Sequence, residues 1–422
     1  MSHEESTQIP TSDFEGFKIQ LENPNSAMPM ICSQKSSILK YNNQQLLGNI
    51  GALKKNIVLS IVSDPAGTGH IRNIFPMTYM NSIFGRSEKF RLITTPVPIF
   101  DPQLLLQTKV IWMQRFMNPE HLVVLKKYKE LQEKYSFKIV WDIDDFIWNN
   151  EKINPLEKIP DYNFGGKIVG EVQSKTSIEI MKLVDLVVVS TPFLKKYISE
   201  TLNIKTPIEI LQNAVPLFLW GTERKKPITK KIEIPTIIST ASPTHFSNID
   251  SLKGDFEYWT EWIVKNVTDK KIKYYQLGAD ENPYFFNSIK DSPNYKAYNW
   301  INSFSYQNLV KSIRADFSIG PLVPNFFNNA KSNLKFLEAS MSGSVFIGAV
   351  FSQDKDSQPS PYDDVPVTVP YYDLKILDET VWKLTEPEEY NKILKQQYKI
   401  LDENGYILES AKYINLLTKI LS

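Results

Sequence analysis

Cysteine is almost missing from this chain of 422 residues, and Cys32 stands alone. A single thiol excludes an intrachain disulfide framework and fits a reducing compartment. Histidine is nearly as scarce, and the four that occur, at positions 3, 70, 121 and 245, follow no metal-ligand spacing. Nowhere do apolar residues run on for the roughly 20 positions that a membrane span requires. Neither sign of charge is in excess, with 48 Lys and Arg against 47 Asp and Glu for a net of +1. No global basic field therefore advertises nucleic acid as a partner. The opening Met1-Ser2-His3-Glu4-Glu5 is acidic and lacks the cationic-then-apolar order of a signal peptide. The expectation is a cytoplasmic protein with no membrane span.

What is present is ordinary globular material, 42% apolar and 23% charged. A chain of this length exceeds what one core holds, since single cores stop growing near roughly 250–300 residues. Residues 1–54 are polar, carry Pro10, Pro24 and Pro29, and read as an extension. From Asn56 short apolar runs alternate with helical patterns. Ile57–Val62, Val110–Met113, Lys138–Trp141 and Leu183–Ser190 read as buried strands, with a charged helix over 120–135. After a charged, proline-containing linker over 221–231, a second set follows at Pro235–Ser239, Ile272–Leu277, Phe317–Ile319 and Val345–Gly348. Such alternation predicts α/β architecture with parallel sheets, in two doubly wound halves facing a cleft. The boundaries read as a first Rossmann-like domain over 55–225, a second domain over 226–385, and C-terminal helices over 386–422.

The loops that leave these strands hold the chemistry. Phe327-Asn328-Asn329-Ala330-Lys331-Ser332-Asn333-Leu334-Lys335-Phe336-Leu337-Glu338 follows the strand that ends at Pro321. An ammonium at a helix start reinforces the positive end of the helix, so Lys331 and Lys335 suit a diphosphate. Glu338 is placed to accept hydrogen bonds from a ribose. The bland alternative is a solvated helix face with an i,i+3 ion pair. Gly67-Thr68-Gly69-His70-Ile71-Arg72 lies between a strand and a helix, where two glycines allow close approach and Arg72 can fork onto a phosphate. It also reads as a tight turn. Trp141-Asp142-Ile143-Asp144-Asp145 crowds three carboxylates at a strand end. One such carboxylate can cap a helix, and another, best Asp144, can deprotonate an acceptor hydroxyl. Ser242-Pro243-Thr244-His245 closes another strand and offers hydroxyl and backbone donors to phosphate.

Together these blocks resemble the GT-B glycosyltransferases, in particular the GT4-like group of nucleotide-sugar enzymes common in bacteria and their phages. The matching pieces, in family order, are Gly69-His70-Ile71-Arg72 with Pro76, Asp142 to Trp148, Val188 to Pro192, Gln212-Asn213-Ala214, Ser242 to His245, and Pro321 through Glu338. The resemblance implies a donor nucleotide-sugar on the C-terminal domain, held by Lys331, Lys335, Glu338, Ser332, Asn328, Ser242 and His245. It implies an acceptor on the N-terminal domain, with Asp142, Asp144 and Asp145 as catalytic candidates and Gly67, Gly69, His70 and Arg72 as a phosphate or acceptor loop. No metal and no cofactor beyond the donor is implied. The family often carries two glutamates eight residues apart, and here the earlier position is Ala330, which leaves the sugar contact and the donor open. The implied reaction is hexosyl or pentosyl transfer to an acceptor hydroxyl on a saccharide or surface-glycan precursor. A phage enzyme acting on hydroxymethylated bases in DNA is an alternative, suited to the Lys/Asn/Ile-rich composition. An inactive sugar-nucleotide-binding scaffold is another.

Overall fold

Strands joined by helical crossovers must run parallel, and both faces of the sheet are then covered. The structure, a computed structural model, describes residues 56–63, 67–84, 90–148, 171–246, 254–278, 284–351 and 359–422, so the proposed extension over 1–54 lies outside the described residues. The first sheet contains β1 (Asn56–Val62), β2 (Phe90–Thr95), β3 (Thr108–Gln114), β4 (Lys138–Ile143), β5 (Leu186–Val189) and β6 (Ile208–Ile210). Their spatial order is β2-β1-β3-β4-β5-β6. The second sheet contains β7 (Thr236–Thr240), β8 (Lys273–Leu277), β9 (Tyr295–Tyr298), β10 (Phe317–Gly320), β11 (Val345–Val350) and β12 (Thr368–Pro370). Their order is β12-β11-β10-β7-β8-β9, and every pairing in both sheets is parallel. Both sheets are doubly wound, so the expected α/β architecture of two Rossmann-like domains holds. The order reverses between β1 and β3 in one sheet and between β7 and β10 in the other. At such switch points the loops at the carboxyl ends diverge and leave a crevice.

Several elements differ from expectation. The strand expected from Leu183 begins at Leu186, because Leu183 still belongs to the helix Glu171–Leu183. Strands β2, β9 and β12 were not foreseen; they flank the sheets and are short or polar. Gly67–Gly69, expected as a loop, already form a helical turn. The chain then passes through a widened turn over His70–Ile74, closed by the Phe75 N–H on the His70 carbonyl. Pro76 explains the widening, since it has no N–H to give to the carbonyl four residues back.

The last two long helices part company. Pro387–Glu403 packs through Tyr390, Ile393 and Leu394 on the second domain. Ala411–Leu421 instead joins Val58, Trp112 and Val140 in the core of the first, through Tyr413, Leu417 and Ile420. No helix among the described residues is long and apolar enough to cross a membrane.

Candidate functional site

A cavity of about 260 Å³ opens between the domains at the two switch points. Gly67, His70, Ile71 and Phe75 form its wall in the first domain. The second domain contributes Ser242 from the loop after β7, Trp300 and Tyr306, and then Leu334, Lys335 and Glu338 from one helix. That helix runs from Leu334 to Ser342 with Asn333 as its N-cap, so Lys331 and Ser332 sit in the loop before it rather than in its first turn. Close backbone approach shapes the floor. Gly278, at φ +94°, lies where a Cβ would come within 2.9 Å of the Ala241 carbonyl oxygen, which only glycine allows.

Lys335 donates its ammonium to the Thr240 carbonyl. Burial, and the nearby Lys331 charge, push its pKa down to about 8. Glu338 accepts from the Tyr306 hydroxyl at 2.9 Å, and burial raises its pKa to about 7. The two side chains form no direct ion pair, so the bland i,i+3 surface pairing does not describe them. Both are half-buried and line the cavity. His70 packs edge-on against Phe304 at 5.6 Å and beside Phe75 at 5.3 Å.

Beside the cavity a second cluster gathers on Asp255, which sequence reasoning missed. Its Oδ1 accepts from the Val323 N–H at 2.8 Å and from Asn328 Nδ2 at 2.7 Å. Its Oδ2 lies 2.5 Å from His245 Nδ1 and 4.0 Å from Lys331 Nζ. These partners hold the Asp255 pKa down to about 2 despite burial. Burial, then the Lys331 and Lys335 charges, lower His245 to about 3, so the ring is neutral and gives its Nδ1 proton to Asp255. Nε2 is then an acceptor, suited to a hydroxyl rather than to a phosphate oxygen. Asn328 is turned toward Asp255 and the Val323 carbonyl and serves as a brace. Lys331 lies over the Phe327 ring at 4.9 Å, its pKa lowered by burial. No feature of the sequence separates Asp255 from any other acidic residue ahead of a helix.

The three aspartates at the end of β4 separate into different roles. Asp142 is fully buried, and its Oδ1 accepts from Arg72 Nη2 at 2.6 Å and Nε at 3.2 Å. Arg72 Nη1 goes to the Leu211 carbonyl and to Asn213 Oδ1. The expected phosphate fork of Arg72 is therefore corrected, because its nitrogens are consumed inside the first domain. Asp142 is corrected with it, from catalytic candidate to buried partner of that guanidinium. Asp145 pairs with Arg115 Nη1 at 3.0 Å. Asp144 keeps a buried Oδ1 with no hydrogen-bond partner among the described residues. Burial, then the adjacent Asp145, raise its pKa to about 8. Gly69 is buried in the first helical turn and takes no part in the cavity wall.

Segment 327–332 belongs to the second domain but docks on the first. Ala330 is fully buried among residues of the first domain's core, with Phe327 packed beside it. Thr191 Oγ1 donates to the Ala330 carbonyl at 3.2 Å, and Asn213 Nδ2 donates to Ser332 Oγ at 2.8 Å. Thr191 and Asn213 read as a helix cap and a turn residue in the sequence, and they also join the domains. Among the described residues no group of three or more His, Cys, Asp or Glu is arranged to hold a metal ion.

Solved structures share this arrangement over nearly their whole length. A glycosyltransferase from Rickettsia africae aligns with a TM-score of 0.55 at 13% identity, covering 87% of this chain and 98% of that one. Sucrose-phosphate synthase from Thermosynechococcus elongatus aligns with a TM-score of 0.53 at 11% identity, covering 87% and 99%. HepE from Anabaena, in complex with UDP, aligns with a TM-score of 0.51 at 10% identity, covering 87% and 98%. This chain has the GT-B fold. No protein-family model and no curated protein matches its sequence. Within the GT-B frame, the cavity lies in the cleft between the domains, and the Asp255 cluster lies beside it.

Proposed function

We propose that the protein is a GT4-like glycosyltransferase, moving a sugar from a nucleoside-diphosphate donor to an acceptor hydroxyl on a saccharide. The observation that carries this reading is the interdomain cavity, in which Lys335 and Glu338 project from one helix beside Lys331 and opposite the His70 turn. The acceptor oxygen forms a bond to the anomeric carbon, the bond from that carbon to the diphosphate oxygen breaks, and nucleoside diphosphate leaves. Negative charge builds on the leaving oxygen. Two half-buried ammonium groups and the first N–H groups of the helix at Leu334, which lack intrahelical partners, are suited to stabilise it. Glu338 takes the ribose hydroxyls. Asp144, alone of the three aspartates in having an unengaged buried oxygen, takes the acceptor proton.

A saccharide acceptor fits the charge distribution better than DNA does. On the helix Pro119–Tyr135, Lys127 pairs with Glu130 at 2.8 Å and Lys129 lies near Asp185 at 3.7 Å. In the linker, Arg224 pairs with Asp402, Lys225 with Asp316 and Lys231 with Glu386. A groove for DNA needs such cations free for phosphates.

A thermal-shift screen of UDP, GDP, ADP and TDP, followed by hydrolysis assays with the matching nucleotide sugars, tests the reading. The expected result is stabilisation by one diphosphate and slow release of sugar from its conjugate. Absence of both with every nucleotide would refute it.

A further inference from the structure

Asn213 links two residues that the sequence treats separately. On one side its Oδ1 lies 3.0 Å from Arg72 Nη1, and on the other its Nδ2 lies 2.8 Å from Ser332 Oγ. A guanidinium has donors and no acceptor. Arg72 is itself held by Asp142 and the Leu211 carbonyl, so it cannot turn away. The amide of Asn213 is therefore fixed in one sense, oxygen toward Arg72 and NH₂ toward Ser332. Ser332 Oγ must then act as acceptor, and the Ser332 hydroxyl gives its own proton to no residue among those described. That proton sits in the loop between Lys331 and Lys335, ahead of the helix whose Lys335 and Glu338 line the cavity.

We propose that Asn213 is a positioning residue of the first domain that sets the polarity of Ser332, so that the Ser332 hydroxyl donates to a phosphate oxygen of the donor diphosphate. The inference rests on the diphosphate reading of the cavity. It also gives the buried Arg72–Asp142 pair a purpose at the cleft. The pair anchors a chain of oriented hydrogen bonds, Arg72 to Asn213 to Ser332, that crosses from one domain into the other. A charged donor at the start of such a chain polarises the bonds that follow, which makes the terminal hydroxyl a stronger donor.

The test is a double-mutant cycle read by calorimetric titration of whichever of UDP, GDP and ADP binds the wild type. Asn213→Asp keeps the shape and the contact with Arg72, but its carboxylate can only accept, so Ser332 must donate inward. It is expected to weaken binding about tenfold, the value of one charge-assisted hydrogen bond. Ser332→Ala should weaken binding by a similar factor, while Ser332→Thr, which keeps the hydroxyl, should stay within about twofold of wild type. In the Ser332→Ala background, Asn213→Asp should cost no more than about a further twofold. Equal losses in both backgrounds would mean that the added charge acts through space, and would overturn the inference. So would unchanged binding in Ser332→Ala. Weakened binding in Lys331→Ala alongside either outcome leaves the diphosphate reading standing and removes only the role of Asn213. Failure of every diphosphate to bind the wild type overturns both.

Discussion

Thr191 donates its hydroxyl across the domain junction to the carbonyl of Ala330, over 3.2 Å. Ala330 is fully buried where the glycosyltransferases that this chain resembles often carry a glutamate. Its small side chain is what lets the 327–332 segment seat against the first domain. Ala330→Glu would force a carboxylate into an apolar contact with no cation in place. We expect it to lose roughly 2 kcal/mol or more of stability. A fall of several degrees in the calorimetric melting temperature checks this, and an unchanged value would show that the segment does not stay docked in solution.

Asp255 holds Lys331, Asn328 and His245 on one carboxylate. Lys331→Ala is expected to weaken diphosphate binding by about 1.5–3 kcal/mol, the range for charge-assisted hydrogen bonds. Asp255→Asn should weaken it too, although the residue carries the same sign of charge as the ligand. A purely electrostatic effect would tighten binding, so the direction of the change in a calorimetric titration separates bracing from repulsion.

Turnover should be bell-shaped in pH with its maximum near 8. Asp144 must lose its proton to act as a base, and its pKa of about 8 makes the rate rise with pH up to that point. Lys335 must keep its proton, and its pKa of about 8 makes the rate fall above it. Bound diphosphate favours the ammonium, so the falling limb should move to higher pH in kcat than in kcat/KM. Asp144→Asn should cut kcat by roughly 10²–10⁴ and abolish the rising limb while donor affinity holds. A retained rising limb in that variant would assign the base elsewhere.

Acid should destabilise the fold through His245. Its pKa falls from 6.5 in the unfolded chain to about 3 in the folded one, so the unfolded state binds the extra proton between those values. The stability from keeping the ring neutral is complete above pH 6.5 and is lost progressively as pH falls toward 3. His245→Gln removes that titration. Its melting temperature should change less than the wild type's between pH 7 and pH 4.5, and parallel curves would show that His245 is reachable by solvent protons in the folded state.

The sequence by itself determined the architecture and the neighbourhood of the site. Runs such as Ile57–Val62, interrupted only by the small Ser60, and Val345–Gly348 are apolar on both faces, which a strand covered on both sides accommodates. Alternation with helices then forces parallel order and places the loops after β1, β4, β7 and β10 at the carboxyl ends. Ser242 and His70 were legible for that reason, since each lies in the segment that leaves a strand, and Lys335 and Glu338 were legible as a charged helix start in the crossover after β10. Which charges are free for chemistry was decided only by the tertiary structure. Arg72 and Asp142 are 70 positions apart and look like site residues until the fold brings them to 2.6 Å and uses each to neutralise the other. Asp255 looks like a surface residue until four groups from two distant segments, His245 and the 323–331 stretch, converge on it. Burial sets the cost of a charge, and partners distant in the chain set whether that cost is met. Neither is a property of local sequence, so the roles of Asp144, Asn213 and Asp255 emerge only when the two domains are in place.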